Sequence, residues 1–448
     1  MDRLEIRDTL HLAIPVVLAR LGGIAMGIAD TIMVGRIGQE PLSAVALGNA
    51  LSFTVLVACL GTLTALDPVV SQAFGAGRRD ECGRAMHHGA FLALLLTLPT
   101  MILLFQARSI LDLLGQSDTL VGATTEYVHV INYGVLPFLL YVVLQQFMQG
   151  ISRARPAAVV VIVANVLNIF ANWVLIYGNL GAPALGATGS AWATTICRWS
   201  MLLMLAAYVF GRHHLRPYLT RIPPWPPDRR LLVRLTRLGL PAGLQFGMEV
   251  GVFASAAMLM GWIGTLELAG HQIAINLCST TFMVPLGFSS TAAVRVGQAL
   301  GRRDVAGARR AAFTAFALGV GFMGMAAVAF FTLPELFVRI YTSEPELVQM
   351  GVSLLLVGAA FQLFDGTQTI AIGALRGAAD TRFPMLVAFV AYWLIGLPLG
   401  YLLAFHLDLG PRGLWWGLMC GLALVGITLS IRFHLRVREQ HLAALQAM

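Results

Sequence analysis

Long apolar stretches separated by short polar segments dominate the chain. Runs of about 20 mostly apolar residues, the length that an α-helix needs to cross a hydrocarbon core of roughly 30 Å, begin near residues 10, 42, 90, 127, 157, 186, 239, 269, 311, 347, 384 and 412. The pattern predicts an all-α polytopic membrane protein with twelve transmembrane helices, which we number in chain order.

The two halves of the chain repeat each other. At an offset of 226 residues, identical residues pair along the first two helices of each half, as in Leu12 with Leu238, Pro15 with Pro241, Gln72 with Gln298, and Gly75 with Gly301. Later in each half the offset is 224 residues, and Trp192 then aligns with Trp416. Because each half holds an even number of spans, both halves enter the membrane in the same direction. We therefore expect two six-helix bundles related by a pseudo-two-fold axis along the membrane normal.

One connection is much longer than the others. Residues 211–237 are rich in proline and arginine, as expected of an interfacial connector between two lobes. The predicted organisation is an N-terminal lobe over residues 1–210, a cytoplasmic linker over 211–237, and a C-terminal lobe with a short tail over 238–448.

The composition supports the assignment as a membrane protein and indicates which loops face the cytoplasm. Hydrophobic residues make up 58% of the 448 residues and charged residues only 12%, which is too apolar for a soluble domain. All 30 basic residues are arginine, and 24 of them fall at the termini and in the loops 2/3, 4/5, 6/7, 8/9 and 10/11. By the positive-inside rule these segments, including both termini, are cytoplasmic. The net charge of +8 therefore requires no nucleic-acid partner.

The missing lysine excludes several enzyme classes. A Walker A loop and a Schiff-base enzyme both need a lysine. The five cysteines are scattered without a CxxC pair, so they predict neither a disulfide framework nor a metal site. We expect no enzyme activity and no cofactor.

Four carboxylates interrupt the apolar spans: Asp30 in helix 1, Asp67 in helix 2, Glu249 in helix 7 and Asp365 in helix 10. An intramembrane charge costs at least about 2.5 to 3.5 kcal/mol on insertion scales, so each of these residues calls for a reason. At 1.5 Å per helical residue, Glu249 and Asp365 both lie about 16 Å from the cytoplasmic ends of their helices. We expect these two acids to share a level near the bilayer midplane, with Asp30 in the other lobe.

None of the four acids has an acid at the equivalent position of the other half, although many other residues of the two halves repeat. An asymmetric acid indicates an ion or substrate site added to one lobe. A buried carboxylate can exchange a proton, supply oxygen ligands to sodium, or balance an organic cation. The structural alternative is a carboxylate that satisfies a broken-helix backbone or pairs with Arg20 or Arg198, and for Asp67, near the end of its span, we favour it.

Other polar or proline residues within spans are weaker candidates. Pro15 lacks a backbone donor and could act as a helix hinge. Gln272, Asn276 and Gln368 could line a cavity or join helices by hydrogen bonds.

Several longer motifs lie along both halves of the chain. They are ADTIMVGRIG at 29–38, SQAFGAGRRD at 71–80, LPAGLQFGMEVGVF at 240–253, AGHQIAINL at 269–277, VGQALGRRD at 296–304 and DGTQTIAIGALRGAADTRFP at 365–384. These motifs resemble those of the multidrug and toxic compound extrusion (MATE) transporters, most closely their NorM-like branch. The motifs keep the family's order and spacing through both halves, so the resemblance covers the full length.

The resemblance implies two six-helix bundles around a central cavity and antiport of organic cations and lipophilic drugs against sodium or protons. Asp30 matches the family's helix 1 aspartate, which is thought to act with the helix 1 proline. Glu249 and Asp365 match the helix 7 and helix 10 acids tied to cation binding, which makes them a possible sodium site. Phe361 stands one turn before Asp365, where some sodium-coupled members are expected to offer a tyrosine, so the coupling ion stays open.

The leading hypothesis is a multidrug exporter acting as a monomer in the bacterial inner membrane on cationic or lipophilic small molecules. The alternative is a lipid-linked oligosaccharide flippase of the same superfamily. Twelve spans and acidic midplane residues argue against the flippase. An intramembrane enzyme and a major facilitator are disfavoured, the first because HExxH and GxGD patterns are missing and the second because of the motifs around Glu249 and Asp365.

Overall fold

The computed structural model describes residues 3–219 and 228–446, which form helices joined by short connections. The first half contributes six transmembrane helices: α1 (Arg3–Gly35), α2 (Gln39–Gly75), α3 (Arg79–Phe105), α4 (Asp118–Asn132 and Val135–Gly150), α5 (Arg155–Tyr177) and α6 (Gly186–Gly211). The second half contributes α7 (Arg229–Ile263), α8 (Thr265–Gly301), α9 (Val305–Thr332), α10 (Pro345–Gly377), α11 (Arg382–Phe405) and α12 (Pro411–Gln446).

In the described residues, eleven helices are long and apolar enough to cross a membrane, and the bent pair that forms α4 makes a twelfth. This confirms the predicted all-α architecture. The bend in α4 is 46°. Short helices at Ala107–Leu113 and Pro334–Val338 follow α3 and α9.

Two of the spans have internal irregularities. In α2 the regular helix ends at Leu63 and resumes at Leu66. In α11 the backbone is π-helical over Phe389–Gly396. Pro398 follows this segment, and a proline removes one backbone donor and crowds the carbonyl four residues earlier, which favours the wider π turn there.

The predicted linker is partly helical. The helix α7 begins at Arg229, nine residues before the apolar run at Leu238, and a 3₁₀ turn and a short helix cover His213–Leu215 and Arg216–Leu219. Residues 220–227 of the linker lie outside the described residues.

The chain forms two compact units whose boundaries fall inside helices. The N-terminal unit comprises Leu18–Phe74 and Arg78–Gly243, and the C-terminal unit comprises the chain up to Val17, Gly75–Gly77, and the chain from Leu244. The first half of α1 thus belongs to the C-terminal unit, and the first half of α7 belongs to the N-terminal unit. The boundary falls two residues after Pro15 in α1 and two residues after Pro241 in α7.

Close helix contacts explain this exchange. In the C-terminal unit Gly287 of α8 lies so close to Val17 of α1 that a Cβ would not fit. In the N-terminal unit Gly239 and Gly243 of α7 lie in the same way against the backbone of α2 near Thr62. Small residues let helices approach closely, so the starts of α1 and α7 each pack on the second helix of the other half of the sequence.

Each unit has its own apolar core. The core of the N-terminal unit includes fully buried Tyr127 and Phe147, and that of the C-terminal unit includes fully buried Trp415 and Phe361.

Candidate functional sites

Glu249 and Asp365, which are far apart in sequence, are bridged by one glutamine side chain in the C-terminal unit. The Nε2 atom of Gln368, one turn after Asp365 on α10, donates to Oε1 of Glu249 at 3.0 Å and to Oδ1 of Asp365 at 3.2 Å. The hydroxyl of Tyr392 on α11 donates to Oε1 of the same glutamine at 2.5 Å. We call Glu249, Asp365, Gln368 and Tyr392 the acidic cluster.

The orientation of the Gln368 amide follows from these contacts. An amide offers two N–H hydrogens on one side and an acceptor oxygen on the other. The Tyr392 hydroxyl can satisfy only the oxygen while it donates, so it directs both N–H hydrogens towards the carboxylates. One amide nitrogen thereby holds two acids side by side and leaves the second oxygen of each carboxylate unused by the glutamine.

The acidic cluster is almost removed from solvent. Asp365 is 5% exposed, Gln368 is fully buried and Tyr392 is 3% exposed, while Glu249 is half-buried. Two ionised carboxylates in such a setting repel each other strongly and lose hydration. The arrangement therefore favours the uptake of one positive charge, as a shared proton or a small cation.

The π-helical segment of α11 positions Tyr392. Its neighbour Trp393 donates from Nε1 to the backbone carbonyl of Met248, beside Glu249, at 3.2 Å. This hydrogen bond fixes α11 against α7 at the level of the cluster. Isolated π turns inside helices frequently occur at functional sites.

Phe361 provides an aromatic wall one turn before Asp365. Its ring packs against Phe253 at 6.1 Å and against Trp415 at 5.5 Å between ring centroids, and the side chain is 1% exposed. The hydroxyl that Phe361 lacks is supplied to the cluster by Tyr392 from a different helix.

The described residues contain no group of three histidine, cysteine, aspartate or glutamate side chains placed to hold a metal ion. A sodium ion at Glu249 and Asp365 would thus have two carboxylate ligands and would need neutral oxygens for the rest. A hydroxyl such as that of Tyr392 is a ligand of this kind.

Asp30 occupies a separate polar site in the N-terminal unit. Asn172 on α5 donates from Nδ2 to Oδ1 of Asp30 at 2.5 Å, and Thr194 on α6 donates from Oγ1 to Oδ2 at 2.9 Å. Asn168 accepts from Asn172 at 3.2 Å, and Asp30 itself is 4% exposed. We call these four residues the Asp30 cluster, in which neutral donors stabilise the carboxylate.

The suggested arginine pairing of Asp30 is not observed. Within the described part of the chain, Asp30 has no arginine at ion-pair distance. The Arg198 guanidinium instead lies 4.9 Å from the centre of the Phe138 ring, and Nη1 approaches the carbonyl of Ile131 at 3.5 Å.

The remaining predicted residues lie elsewhere. Asp67 is fully buried in the first turn of the second segment of α2, where the positive end of the helix dipole favours a carboxylate. Gln272 and Asn276 are exposed on α8, and Asn276 donates to the carbonyl of Gln272 at 2.8 Å, so neither belongs to the acidic cluster. Pro15 is buried inside a continuous α1.

Thr194 and Tyr392 are two residues of these clusters that the sequence did not predict. Thr194 lies in an ordinary apolar span, and the only sequence feature that marked it was the pair of threonines in the ATT stretch of α6. Tyr392 could have been predicted more easily than Thr194, because a tyrosine buried in a span needs a hydrogen-bond partner for its hydroxyl.

Comparisons with known proteins agree with this architecture. The MatE family model matches residues 15–174 and 241–402. A probable multidrug resistance protein NorM from Mesorhizobium japonicum is 39% identical over 443 residues, covering 97% of this chain and 95% of the relative. The multidrug resistance protein MdtK of Yersinia pseudotuberculosis is 37% identical over 433 residues, covering 96% of this chain and 95% of the relative.

Solved structures share the fold at lower identity. The eukaryotic MATE transporter AtDTX14 superposes with a TM-score of 0.89 at 21% identity, covering 97% of this chain and 98% of that chain. An outward-facing multidrug resistance MATE transporter superposes with a TM-score of 0.87 at 20% identity, covering 98% of this chain and 97% of that chain. Together with the family model and the close relatives, these findings show that the chain belongs to the MATE family of multi-pass membrane transporters, in its NorM-like branch.

Proposed function

We propose that this protein is a multidrug exporter that moves cationic and lipophilic small molecules out of the cell in exchange for protons or sodium ions. Relatives that match nearly the whole chain are named multidrug resistance proteins. The family as a whole consists of ion-coupled antiporters. The comparisons give no support to the lipid-linked oligosaccharide flippase.

The acidic cluster carries the proposal. Two carboxylates held by one amide nitrogen form a site whose charge changes when a proton or sodium ion enters. A carrier that binds one cation at this depth gains about 2.3 kcal/mol per 100 mV of membrane potential for each charge that crosses. Coupling to drug export then requires that cation binding and drug binding favour different states of the transporter.

The Asp30 cluster has a second role in this proposal. Its carboxylate accepts its hydrogen bonds from the neutral donors Asn172 and Thr194, so it stays available as a counter-charge for an organic cation or as a proton acceptor. Pro15 and its repeat partner Pro241 interrupt backbone hydrogen bonding just before the unit boundaries, where we propose that helices α1 and α7 bend during transport.

We also propose that the protein acts as a monomer in a bacterial inner membrane with both termini in the cytoplasm. The support for the cytoplasmic termini is the distribution of arginine. Trypsin accessibility in sealed vesicles of known orientation tests this, since the many arginines near 211–237 are cleaved from one side only.

Reconstitution tests the transport function. Purified protein in proteoliposomes receives tetraphenylphosphonium or ethidium, with an imposed proton gradient in one sample and an imposed sodium gradient in the other. We expect drug movement driven by one or both gradients and abolished in the double variant Glu249→Gln, Asp365→Asn. Folded wild-type protein that moves neither drug under either gradient would refute the proposal.

A further inference from the structure

A cavity of about 250 Å³ lies in the N-terminal unit where the start of α7 meets α2 and α3. Its walls combine a few apolar side chains with many charged ones: Val69, Gln72, Ala73, Arg78, Glu81, Arg84, Asp228, Arg230, Leu231 and Arg234. The cavity lies outside both the acidic cluster and the Asp30 cluster.

The charges around this cavity do not balance. Two of its four arginines are paired, Arg78 with Glu81 and Arg84 with Asp228, each at 2.9 Å. In the described part of the chain, Arg230 and Arg234 form no ion pair with a carboxylate, and Arg234 reaches only Gln72, at 3.4 Å. Two positive charges therefore remain uncompensated beside an open volume.

The frame of the cavity is held by hydrogen bonds. His88 of α3 donates from Nδ1 to the carbonyl of Arg84 at 2.7 Å, and its Nε2 accepts the backbone N–H of Asp228 at 2.8 Å. The Asp228 side chain in turn accepts the backbone N–H of Arg230 at 2.9 Å, which lowers the pKa of this carboxyl below its ordinary value. The start of α7 is thus fixed to α3 by a histidine that is 1% exposed.

The repeat provides an internal comparison. In the C-terminal unit, Arg295 of α8 reaches the start of α1, where its guanidinium bonds Oε1 of Glu5 at 2.6 Å and lies 3.9 Å from Oδ2 of Asp8. Arg295 and Glu5 are both only 19% exposed. An internal ion pair therefore occupies this place in one copy of the repeat.

The other copy has lost both members of that pair. At the offset of 226, the positions equivalent to Arg295, Glu5 and Asp8 hold, in the same order, Val69, Leu231 and Arg234. In the N-terminal unit, the side chains of Val69 and Leu231 are shorter than those of the arginine and glutamate that form the ion pair in the C-terminal unit, so they leave space there. The carboxylate of Asp8 is replaced by a positive charge, so the cavity lacks the anions that its counterpart contains.

We propose that an external phosphate group, as a phosphomonoester or phosphodiester, binds in this cavity between Arg230 and Arg234. Guanidinium groups match phosphate oxygens with paired hydrogen bonds, and the volume accommodates a phosphate with part of its substituent. Arg230 and Arg234 precede the apolar run at Leu238 by roughly 12 and 6 Å along the helix, the depth of lipid head groups. An anionic phospholipid and a soluble phosphate share this chemistry.

Binding to purified full-length protein in a neutral detergent tests the proposal. Calorimetric titration uses three probes: inorganic phosphate, a short-chain phosphatidylglycerol and a short-chain phosphatidylcholine. The double variant Arg230→Gln, Arg234→Gln removes the two uncompensated charges. The matched control Arg302→Gln, Arg303→Gln removes two exposed charges from the repeat-related loop after α8.

We expect the double variant at the cavity to bind the anionic probe about tenfold more weakly, while the control changes by less than about twofold, since loss of charge-assisted hydrogen bonds is local. Leu231→Glu restores the carboxylate of the other repeat and is expected to block binding without removing any arginine. Glu81→Gln releases Arg78 and is expected to tighten binding, a gain that misfolding cannot produce.

The probes distinguish the two sources. An effect confined to phosphatidylglycerol assigns the cavity to a lipid head group, and an effect that includes inorganic phosphate assigns it to a soluble anion. Equal losses in the cavity variant and the control, or wild-type protein that binds neither inorganic phosphate nor phosphatidylglycerol more tightly than phosphatidylcholine, would overturn the proposal.

Discussion

The acidic cluster allows the effect of neutralising Asp365 to be worked out. The Gln368 nitrogen lies 3.0 Å from Oε1 of Glu249 and 3.2 Å from Oδ1 of Asp365. The two acceptor oxygens therefore share one donor, and a cation bound between the carboxylates would lie roughly 4 Å or less from each charge. At an effective dielectric constant of about 20, one such charge pair is worth about 4 kcal/mol. Loss of that interaction corresponds to an affinity for the coupling cation lower by about 10³-fold.

Asp365→Asn changes the charge but keeps the shape. The asparagine oxygen can still accept from Gln368, so we expect the free energy of unfolding to stay within about 1 kcal/mol of the wild-type value. The assay is the initial rate of tetraphenylphosphonium transport in proteoliposomes as a function of proton or sodium concentration, together with thermal unfolding in detergent. Glu346→Gln, an exposed carboxylate at the start of the same helix, is the matched control.

We expect Asp365→Asn to lose its dependence on the ion gradient while the control keeps the wild-type dependence. If folded Asp365→Asn protein shows the wild-type half-saturating ion concentration, the acidic cluster is not the ion site. A large loss of thermal stability in this variant would instead show that the carboxylate serves the fold.

Four further substitutions test the two clusters. Tyr392→Phe leaves the buried oxygen of Gln368 without its hydroxyl donor, so we expect a loss of about 1 to 3 kcal/mol in unfolding free energy and a shifted ion dependence; unchanged values of both would contradict the orienting role. Thr194→Val removes a donor to Asp30 and should cost about 1.5 to 3 kcal/mol, whereas Thr194→Ser should recover most of it, as measured by thermal unfolding. Asp30→Asn should lower the number of ions exchanged per drug molecule, and an unaltered ratio in a dual-flux assay would refute a coupling role.

Features of this protein could be predicted from the sequence where a strong physical constraint acts on each segment separately. A backbone that crosses a bilayer has to satisfy its own hydrogen bonds, so twelve apolar runs of helical length predict twelve spans. The cost of an intramembrane charge likewise marked Asp30, Glu249 and Asp365 before any contact was known. Depth counted along the helices placed Glu249 and Asp365 at one level, and the structure brings both within reach of Gln368.

The sequence does not distinguish how individual polar side chains within the spans are used. Gln272 and Asn276 were as polar as Gln368, yet they are exposed on α8 while Gln368 is fully buried between two acids. The difference depends on which helix face points inwards, and a span that is apolar on all sides has little periodicity to indicate this. Tyr392 was missed for a related reason, because its place beside Gln368 depends on the π-helical segment of α11.

The sequence by itself determined the number of helices and the intramembrane acids, because both follow from the free energy of placing a given segment or charge in a hydrocarbon phase. It also determined the duplication, which is visible as identical residues at a fixed offset. Only the tertiary structure decided which half-helices share a unit, which polar residues meet the acids, and that one copy of the repeat contains an ion pair where the other contains a cavity. Most of those features depend on contacts between residues more than a hundred positions apart, as in Glu249 with Gln368 and Asp30 with Asn172, and the hydropathy of a single segment does not reveal such contacts.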